Sequence, residues 1–277
     1  MLSVAYKTTP QDLPGYQLGR ALGRGGFGEV WEATADRGRR VALKFLPYAN
    51  TSAAAEEIRS IQLVRQLRHR GLVRIEKVWS CPGYLVIAME LADGSLIDLA
   101  RAYKEEFRSP IPADYVCFLL KQAADALDFL NSQRHLVRGR RVSFQHCDIK
   151  PGNLLIFGET VKLCDFGLTT TVNSLFKNRR PAGTPEYSAP EVLQGRISEA
   201  TDQFSLAVTY CELRADKLPF PGMPEVYSQS YRRPLPDLSM LPVAERPIVE
   251  RALSPNPIER WPTCCALIAE LERAVTR

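Results

Sequence analysis

The fold of this chain is decided by the segment HCDIKPGN, which spans His146–Asn153 and is followed by DFG at Asp165–Gly167. The first segment sets a carboxylate, an ammonium group and an amide at fixed offsets, at Asp148, Lys150 and Asn153. A carboxylate can orient or deprotonate an attacking hydroxyl, and a lysine can neutralise a moving phosphoryl group. The amide, together with the carboxylate of DFG, offers the oxygen ligands that magnesium prefers. The pattern therefore suits phosphoryl transfer from a metal-bound nucleotide.

A glycine-rich segment upstream, GRGGFG at Gly23–Gly28, precedes the strand-like VALK at Val41–Lys44. A lone GxGxxG is weak evidence, because in dinucleotide-binding folds this motif opens a helix. Here Val30–Ala33 and then another strand follow the glycines, which favours a strand–turn–strand hairpin. Without side chains in the turn, backbone N–H groups can approach phosphate oxygens. An ordinary glycine-rich hairpin becomes the weaker interpretation once Lys44 follows on the next strand.

With these motifs in this order, the chain resembles the eukaryotic-type protein kinase family over nearly all of its length. HCDIKPGN, with its lysine, and GTPEYSAPE at Gly183–Glu191 resemble the serine/threonine branch. The resemblance implies an α+β, bilobal protein-kinase-like fold, with a β-rich N-lobe that has one main helix and a mainly helical C-lobe. We expect an N-terminal extension at 1–15, an N-lobe at 16–90 and a C-lobe at 91–277, which together form one protein kinase domain.

Apolar periodicity predicts the individual elements. Strands are expected at Tyr16–Leu18, Glu29–Ala33, Arg39–Leu46, Leu72–Ile75 and Tyr84–Met89. Helices are expected at Ala53–Leu67, Val116–Leu130, Gln203–Leu213, Val249–Leu253 and Cys264–Val275.

The resemblance implies a role for each catalytic side chain. Asp148 would act as the base toward the substrate hydroxyl, and Lys150 would stabilise the transferring phosphoryl group. Asn153 and Asp165 would bind Mg²⁺ ions that bridge the phosphates of ATP. Lys44 would pair with the α- and β-phosphates.

A buried ammonium group at Lys44 needs an acidic partner. Glu57 is the candidate, and Glu56 is the alternative. The usual family spacing, counted back from His69, points instead near Ser60, about one helical turn from Glu57. Both glutamates could also lie on a solvated face, so the partner stays open.

Nucleotide binding by the chain follows from the same resemblance. Met89 matches the gatekeeper, Glu90 to Ala92 the hinge, and the apolar side chains would enclose adenine; each could also be an ordinary core residue. The implied ATP-binding residues are Leu22, Gly23, Gly25, Gly28, Val30, Ala42, Lys44, Met89, Glu90, Ala92 and Leu155.

Several other residues are expected to carry architecture rather than chemistry. The implied contacts are Thr184 with Asp148 and Lys150, an ion pair between Glu191 and Arg260, Asp202 bracing the catalytic loop, and His146 packed near Phe166.

Cys147 replaces the arginine that most protein kinases carry between His and Asp. That arginine normally pairs with a phosphate on the activation loop, which cysteine cannot do. We therefore hypothesise that the enzyme does not need loop phosphorylation through this contact. Thr169, Thr170, Thr171 and Ser174 could still be phosphorylated for other reasons.

Two further departures concern the C-lobe. The link from Asn131 to Gln145 is longer than in most family members and is rich in arginine. It could dock a partner, although a flexible solvated loop is the favoured interpretation. Cys164 could be a nucleophile near the ATP cleft, with a small buried filler residue as the favoured alternative.

The composition is that of an ordinary globular protein. Of the 277 residues, 45% are hydrophobic and 24% are charged, and no apolar run approaches the length of a membrane helix. The net charge of +5 does not require nucleic acid. The seven cysteines lack zinc-ligand spacing, which favours reduced thiols and a cytoplasmic location. A longer or membrane-tethered parent protein with additional domains stays possible.

The predicted function is a serine/threonine protein kinase that phosphorylates protein substrates. One alternative is a pseudokinase that acts as a nucleotide-binding scaffold, suggested by Cys147 and by the uncertain glutamate. A kinase of small molecules is a weaker alternative, because Gly183–Glu191 resembles a protein-substrate platform.

Overall fold

The computed structural model describes residues 13–25, 28–47, 61, 65–137, 139–166, 169–171, 183–220, 222 and 232–276. These residues form two compact units. The first contains the described residues up to Gln66 together with Val73–Ala92, and the second contains Leu67–Leu72 and the described residues from Asp93 onward.

The first unit is built on a five-stranded antiparallel sheet with the strand order β1–β2–β3–β5–β4. Its strands are β1 (Tyr16–Gly25), β2 (Gly28–Ala35), β3 (Arg40–Pro47), β4 (Ile75–Cys81) and β5 (Tyr84–Glu90). β1 and β2 form the predicted strand–turn–strand hairpin, in which Gly25 pairs with Gly28.

The two faces of this sheet carry separate apolar clusters. Successive side chains of a strand point to opposite faces, so β3 buries Val41, Leu43 and Phe45 on one side. Leu46 is buried on the other side, in a cluster that includes Ile61. Lys44 alternates with Phe45 and therefore shares the face of Leu46.

The second unit is mainly helical. Its helices are α1 (Leu96–Phe107), α2 (Ala113–Asn131), α3 (Pro190–Leu193), α4 (Thr201–Ala215), α5 (Arg246–Ala252) and α6 (Cys264–Val275). Its short strands are β6 (Gly94–Ser95), β7 (His135–Val137), β8 (Arg140–Val142), β9 (Phe144–Gln145), β10 (Leu154–Phe157), β11 (Thr160–Leu163) and β12 (Thr170–Thr171). The strands pair as β11–β10–β6, β12–β9 and β7–β8.

Side-chain caps fix the N-terminal ends of two of these helices, α1 and α6. At the start of α1, the Ser95 hydroxyl accepts a hydrogen bond from the Asp98 amide, and the Asp98 carboxylate accepts one from the Ser95 amide. At the start of α6, the carboxylate of Asp128 accepts hydrogen bonds from the amides of Cys264 and Cys265. Because Asp128 belongs to α2, this second cap also ties α6 to the buried central helix.

Three predicted elements need comment: one is wrong, one lies mostly outside the described residues, and one forms a hairpin instead of a loop. The strand predicted at Leu72–Ile75 is wrong: Leu72 makes only an isolated bridge to Leu163, and β4 begins at Ile75. Most of the helix predicted at Ala53–Leu67 lies outside the described residues. The link predicted as a flexible loop instead forms the hairpin β7–β8, because Gly139 takes the positive φ of its turn and His135 is buried.

Candidate active site

The loop that carries Asp148 is held from below by the first turn of α4. One oxygen of the Asp202 carboxylate accepts a hydrogen bond from the backbone amide of His146 at 2.6 Å, and the other accepts one from the backbone amide of Cys147 at 2.8 Å. Asp202 is buried, and burial raises its pKa. The structure thus contains the bracing contact that the sequence implied.

Cys147 adopts a left-handed backbone conformation, with φ of +67°. A non-glycine residue pays for this conformation with about 1–2 kcal/mol, so the surrounding contacts must impose it. Gly183 packs against the same peptide, and a Cβ at Gly183 would lie 2.7 Å from the Cys147 carbonyl oxygen. A glycine is therefore required where the 183–191 segment crosses the loop.

The Asp148 carboxylate accepts four hydrogen bonds. Its Oδ1 accepts hydrogen bonds from the backbone amide and from the hydroxyl of Thr184, both at 2.9 Å. Its Oδ2 accepts the Lys150 ammonium at 3.0 Å and the Asn153 amide group at 2.8 Å. Lys150 also donates to the Thr184 hydroxyl, which closes a ring of contacts among the three side chains.

These contacts set the charge of Asp148. Burial raises its pKa, but the Lys150 ammonium and the Thr184 hydroxyl oppose that effect, and the net result is a lowered pKa. Asp148 is therefore ionised at neutral pH despite an exposed fraction of only 4%. A buried, oriented carboxylate of this kind can position a hydroxyl group and accept its proton.

Asn153 and Asp165, the two predicted metal ligands, lie on hydrogen-bonded segments. Nδ2 of Asn153 donates to the backbone carbonyl of Asp148 at 2.7 Å as well as to its carboxylate. The amide oxygen is thus the atom of Asn153 suited to a metal. The backbone carbonyl of Asn153 accepts a hydrogen bond from the amide of Cys164 at 3.0 Å. Cys164 directly precedes Asp165, so this bond ties the segment of Asp165 to that of Asn153.

The donor set fits a magnesium ion that shares its coordination with phosphates. Within the described ranges, no group of three or more His, Cys, Asp or Glu side chains could hold a metal ion by itself. Mg²⁺ commonly takes only one or two protein ligands and completes its shell with waters and substrate phosphates. An amide oxygen at Asn153 and a carboxylate at Asp165 fit this coordination preference of Mg²⁺.

His146 supports the site without facing it. The side chain is fully buried, and Nε2 lies 2.7 Å from the backbone carbonyl of Cys164. Its ring meets Phe166 edge-on, with centroids 5.4 Å apart. The structure therefore places His146 where the resemblance implied, between the catalytic loop and DFG.

In the first unit, Lys44 lies at the centre of the sheet with 8% of its surface exposed. It pairs with Val30 of β2 and with Ile87 of β5. Glu57 and Glu56, its proposed partners, lie outside the described residues. The glycine turn is fixed by Gly28, since φ is +129° there and a Cβ would fall 2.0 Å from the Phe45 carbonyl oxygen.

Three of the residues predicted to bind ATP, Ala42, Met89 and Val30, lie on the same face of the sheet as Lys44. Ala42 is two residues from Lys44 and pairs with Met89, while Val30 lies opposite Lys44. Glu90 ends β5, where its amide and its carboxylate bond the backbone of Arg74. The other predicted positions are distributed as follows: Leu22, Gly23 and Gly25 on β1, Ala92 at the end of the first unit, and Leu155 on β10 of the second unit.

A buried ion pair anchors the segment after Gly183. The Arg260 guanidinium donates to both oxygens of Glu191 at 2.8 Å, and its side chain is fully buried. Burial raises the pKa of Glu191, but Arg260 outweighs burial and the net pKa is lowered. The ion pair implied by the resemblance is therefore present.

Arg233 makes contacts that no sequence pattern predicted. Its guanidinium donates to the backbone carbonyls of Pro185, Glu186 and Ser188. It also lies over the Phe220 ring, 4.6 Å from the centroid. One side chain from a distant part of the sequence thus fixes the loop that follows Gly183.

The family model "Pkinase: Protein kinase domain" matches residues 16–268. The chain belongs to the eukaryotic-type protein kinase superfamily. This confirms the resemblance and the predicted bilobal α+β kinase fold, with a β-rich first unit and a mainly helical second unit. The family uses ATP with a divalent metal and acts on protein substrates.

Curated relatives carry protein kinase names. CBL-interacting protein kinase 4 of Oryza sativa subsp. japonica is 31% identical over 88% of this chain and 54% of its own length. Mitogen-activated protein kinase kinase kinase 1 of Arabidopsis thaliana is 30% identical over 91% of this chain and 41% of its own length. Probable serine/threonine-protein kinase zyg-1 of Caenorhabditis briggsae is 30% identical over 80% and 30%.

This kinase domain thus spans 54% or less of the length of these relatives. The name of the zyg-1 relative supports the serine/threonine type predicted from Lys150 and Gly183–Glu191. Among the described helices, none is long and apolar enough to cross a membrane. All seven cysteines are free thiols.

Proposed function

We propose that the protein is an active serine/threonine kinase that transfers the γ-phosphoryl group of Mg·ATP to hydroxyl groups of protein substrates. The proposal rests on the ionised Asp148 carboxylate, held by Lys150, Thr184 and Asn153. A pseudokinase has no need for this arrangement of a base, a cation and an amide. A cytoplasmic location stays a prediction.

Asp148 orients the substrate hydroxyl and takes its proton. Its lowered pKa makes it a weak base, so the proton moves late, once the hydroxyl oxygen has begun to bond to phosphorus and has become more acidic. Lys150 already faces Asp148, and its ammonium neutralises charge on the transferring group. Thr184 keeps both side chains in place.

Asn153 and Asp165 would hold Mg²⁺, which would neutralise negative charge on the phosphate groups of ATP. Lys44 contributes a cation toward the α- and β-phosphates, with Glu57 as its proposed partner. The glycine turn at Gly23–Gly28 offers backbone N–H groups to the phosphates. Adenine would contact the apolar side chains predicted for it, and the backbone of the hinge at Glu90 to Ala92 would bind its edge.

Cys147 supports the proposal that activity does not require a phosphate on the activation loop to bind to the HCD motif. The thiol is buried, its pKa is raised mainly by burial, and Sγ lies 3.7 Å from the Gln145 carbonyl. A neutral, buried thiol offers no charge to a phosphate group. Activity should therefore be unchanged when Thr169, Thr170, Thr171 and Ser174 are replaced by Ala; a phosphate-dependent rise in rate that these changes abolish would overturn this part.

The experiment is radiolabelled phosphate transfer from Mg·ATP to a generic serine/threonine substrate, with Asp148→Asn as the matched variant. Transfer by the parent and a loss of at least about 10²-fold in the variant are expected. If the parent binds Mg·ATP but transfers nothing, the pseudokinase alternative replaces this proposal.

A further inference from the structure

The hairpin β7–β8 is an ordered cationic element that the proposed catalytic site does not use. The exposed arginines Arg134, Arg140 and Arg141 lie on it or next to it. Leu136, at its middle, is 72% exposed. Within the part of the chain that the structure describes, no hydrogen bond or ion pair engages the side chains of these three arginines.

A buried aromatic cluster holds the base of the hairpin. His135 is 7% exposed, and its Nε2 lies 2.8 Å from the Phe129 carbonyl oxygen. Its ring lies 5.0 Å from Phe129 and 5.3 Å from Phe144, between centroids. His69 stacks on Phe129 from the other side at 4.6 Å. Such anchoring orients the hairpin, so that its outer face is a defined surface.

The register separates the two faces of the hairpin. His135 pairs with Val142 on the inner face, and Leu136 pairs with Arg141 on the outer face. Paired residues of an antiparallel ladder point to the same side. The outer face therefore presents an apolar side chain directly beside a guanidinium group.

Both outer edges of the hairpin are open among the described strands, because β7 pairs only with β8 and β8 only with β7. An open edge presents unpaired N–H and C=O groups to which an extended peptide can add as a further strand. Charges of one sign repel a second copy of the same hairpin and attract a chain of the opposite sign.

We propose that β7–β8 docks an acidic, extended segment of a partner protein, which adds a strand to the hairpin edge. Acidic side chains on the outer face of the added strand pair with Arg141, beside Leu136. Arg140 pairs with Val137 on the face of His135, and together with Arg134 it adds positive charge near the hairpin edges. Three arginines are fewer than the roughly 6–10 phosphate contacts typical of duplex DNA binding. Strand addition requires a peptide backbone, which nucleic acids and lipids lack.

Fluorescence anisotropy with a labelled peptide that alternates Glu and Val tests this docking, and the matching peptide that alternates Gln and Val is the probe control. The parent should bind the Glu peptide in a salt-dependent manner. Arg140→Ser/Arg141→Ser should weaken binding by at least about tenfold, equivalent to 1.4 kcal/mol. Arg101→Ser/Arg273→Ser, which removes the same charge from α1 and α6, should bind as the parent does.

Hydrogen exchange adds a readout of strand addition. A saturating Glu peptide should protect amides within 134–142 and leave those of α1 and α6 unchanged. The proposal is overturned if the parent does not bind, if the hairpin variant binds equally well, or if protection falls elsewhere. Tighter binding of oligothymidylate or of phosphatidylserine vesicles would also overturn it. No ATP is present, so a failure of phosphoryl transfer leaves this test unaffected.

Discussion

At the scale of single residues, Gly183 makes the sharpest steric prediction. Its φ is +113°, and a Cβ would lie 2.7 Å from the Cys147 carbonyl oxygen, next to Asp148. Gly183→Ala should cost about 1–3 kcal/mol for the strained backbone alone and displace the Asp148 loop. We expect a lower midpoint of urea unfolding and a reduced kcat.

The matched control is Gly195→Ala. Gly195 also has a positive φ, +75°, but a Cβ there would meet no atom within 4 Å. The variant Gly195→Ala should lower the free energy of unfolding by about 1–2 kcal/mol and leave kcat unchanged. Equal kcat values for the two variants would show that the contact between Gly183 and Cys147 does not position Asp148.

The thiols provide a second prediction at this scale. Cys147 and Cys211 are buried, and burial raises the pKa of each thiol. The thiolate is the reactive form, so both should resist iodoacetamide in the native protein and react after unfolding in urea. Cys81, which is only partly buried, should be alkylated before both of them. Mass spectrometry of timed samples measures the order, and early labelling of Cys147 would contradict its burial.

The contacts of Thr184, Glu191 and Asp202 were predictable at the residue scale, because the resemblance implied each of them and the structure contains them. Arg233 was not predictable. It reaches the carbonyls of Pro185 to Ser188 from about 45 positions away, and backbone carbonyls leave no trace in the sequence. A contact between one side chain and a distant backbone has no pattern to recognise.

At the scale of elements, Arg233 predicts how the 183–191 segment is fixed. Its planar guanidinium donates to three carbonyls and lies on Phe220. Lysine keeps the charge but loses this fork geometry. Arg233→Lys should therefore raise KM for a protein substrate and leave KM for ATP unchanged.

Steady-state kinetics on both substrates measures the split. Arg246→Lys is the matched control, since its guanidinium also bonds carbonyls, those of Ser239 and Leu241, away from the segment. A parallel rise in both KM values, or a similar effect of the control, would assign Arg233 to stability alone.

The ion pair between Glu191 and Arg260 joins α3 to the segment before α6, and it predicts a pH dependence of stability. The pKa of Glu191 is lowered from its usual value of 4.5. A lowered pKa contributes stability that is present above pH 4.5 and is lost as the pH falls through the folded-state value. Glu191→Gln should cost about 3 kcal/mol at pH 7, because a buried guanidinium loses its counter-charge.

Urea unfolding at neutral and acidic pH checks this expectation. The difference in unfolding free energy between parent and Glu191→Gln should shrink as the pH falls below 4.5. Asp216→Asn, at an exposed ion pair with Lys104, should have little effect at any pH. A pH-independent difference for Glu191→Gln would assign the loss to packing.

The hairpin β7–β8 shows where prediction of elements failed. Arginine-rich composition suggested a solvated loop, whereas His135 contributes a buried ring that bonds Phe129 and contacts Phe144. Composition averages over the segment, and one buried side chain among the three of β7, that of His135, anchors the hairpin. The long apolar helix α2 was predictable because its periodicity extends over many turns.

At the scale of the whole molecule, each of the two units carries residues to which the proposal assigns a role toward Mg·ATP. Lys44 belongs to the first unit, whereas Asn153 and Asp165 belong to the second. A ligand that binds only the native protein stabilises it by RT ln(1 + [L]/Kd), about 2.7 kcal/mol at a hundredfold excess over Kd. Mg·ATP should therefore raise the midpoint of thermal unfolding.

The metal dependence of that shift tests the assignment of ligands. Asp165→Asn removes one proposed Mg²⁺ ligand, so the extra stabilisation that Mg²⁺ gives in the presence of ATP should largely vanish. Lys162→Gln removes a neighbouring charge that lies over the Phe157 ring and should keep the full magnesium-dependent shift. If Asp165→Asn retained the full shift, the metal would not depend on the Asp165 carboxylate, and the proposed role of Asp165 would fail, since Mg²⁺ is usually held by one or two carboxylates besides the phosphates.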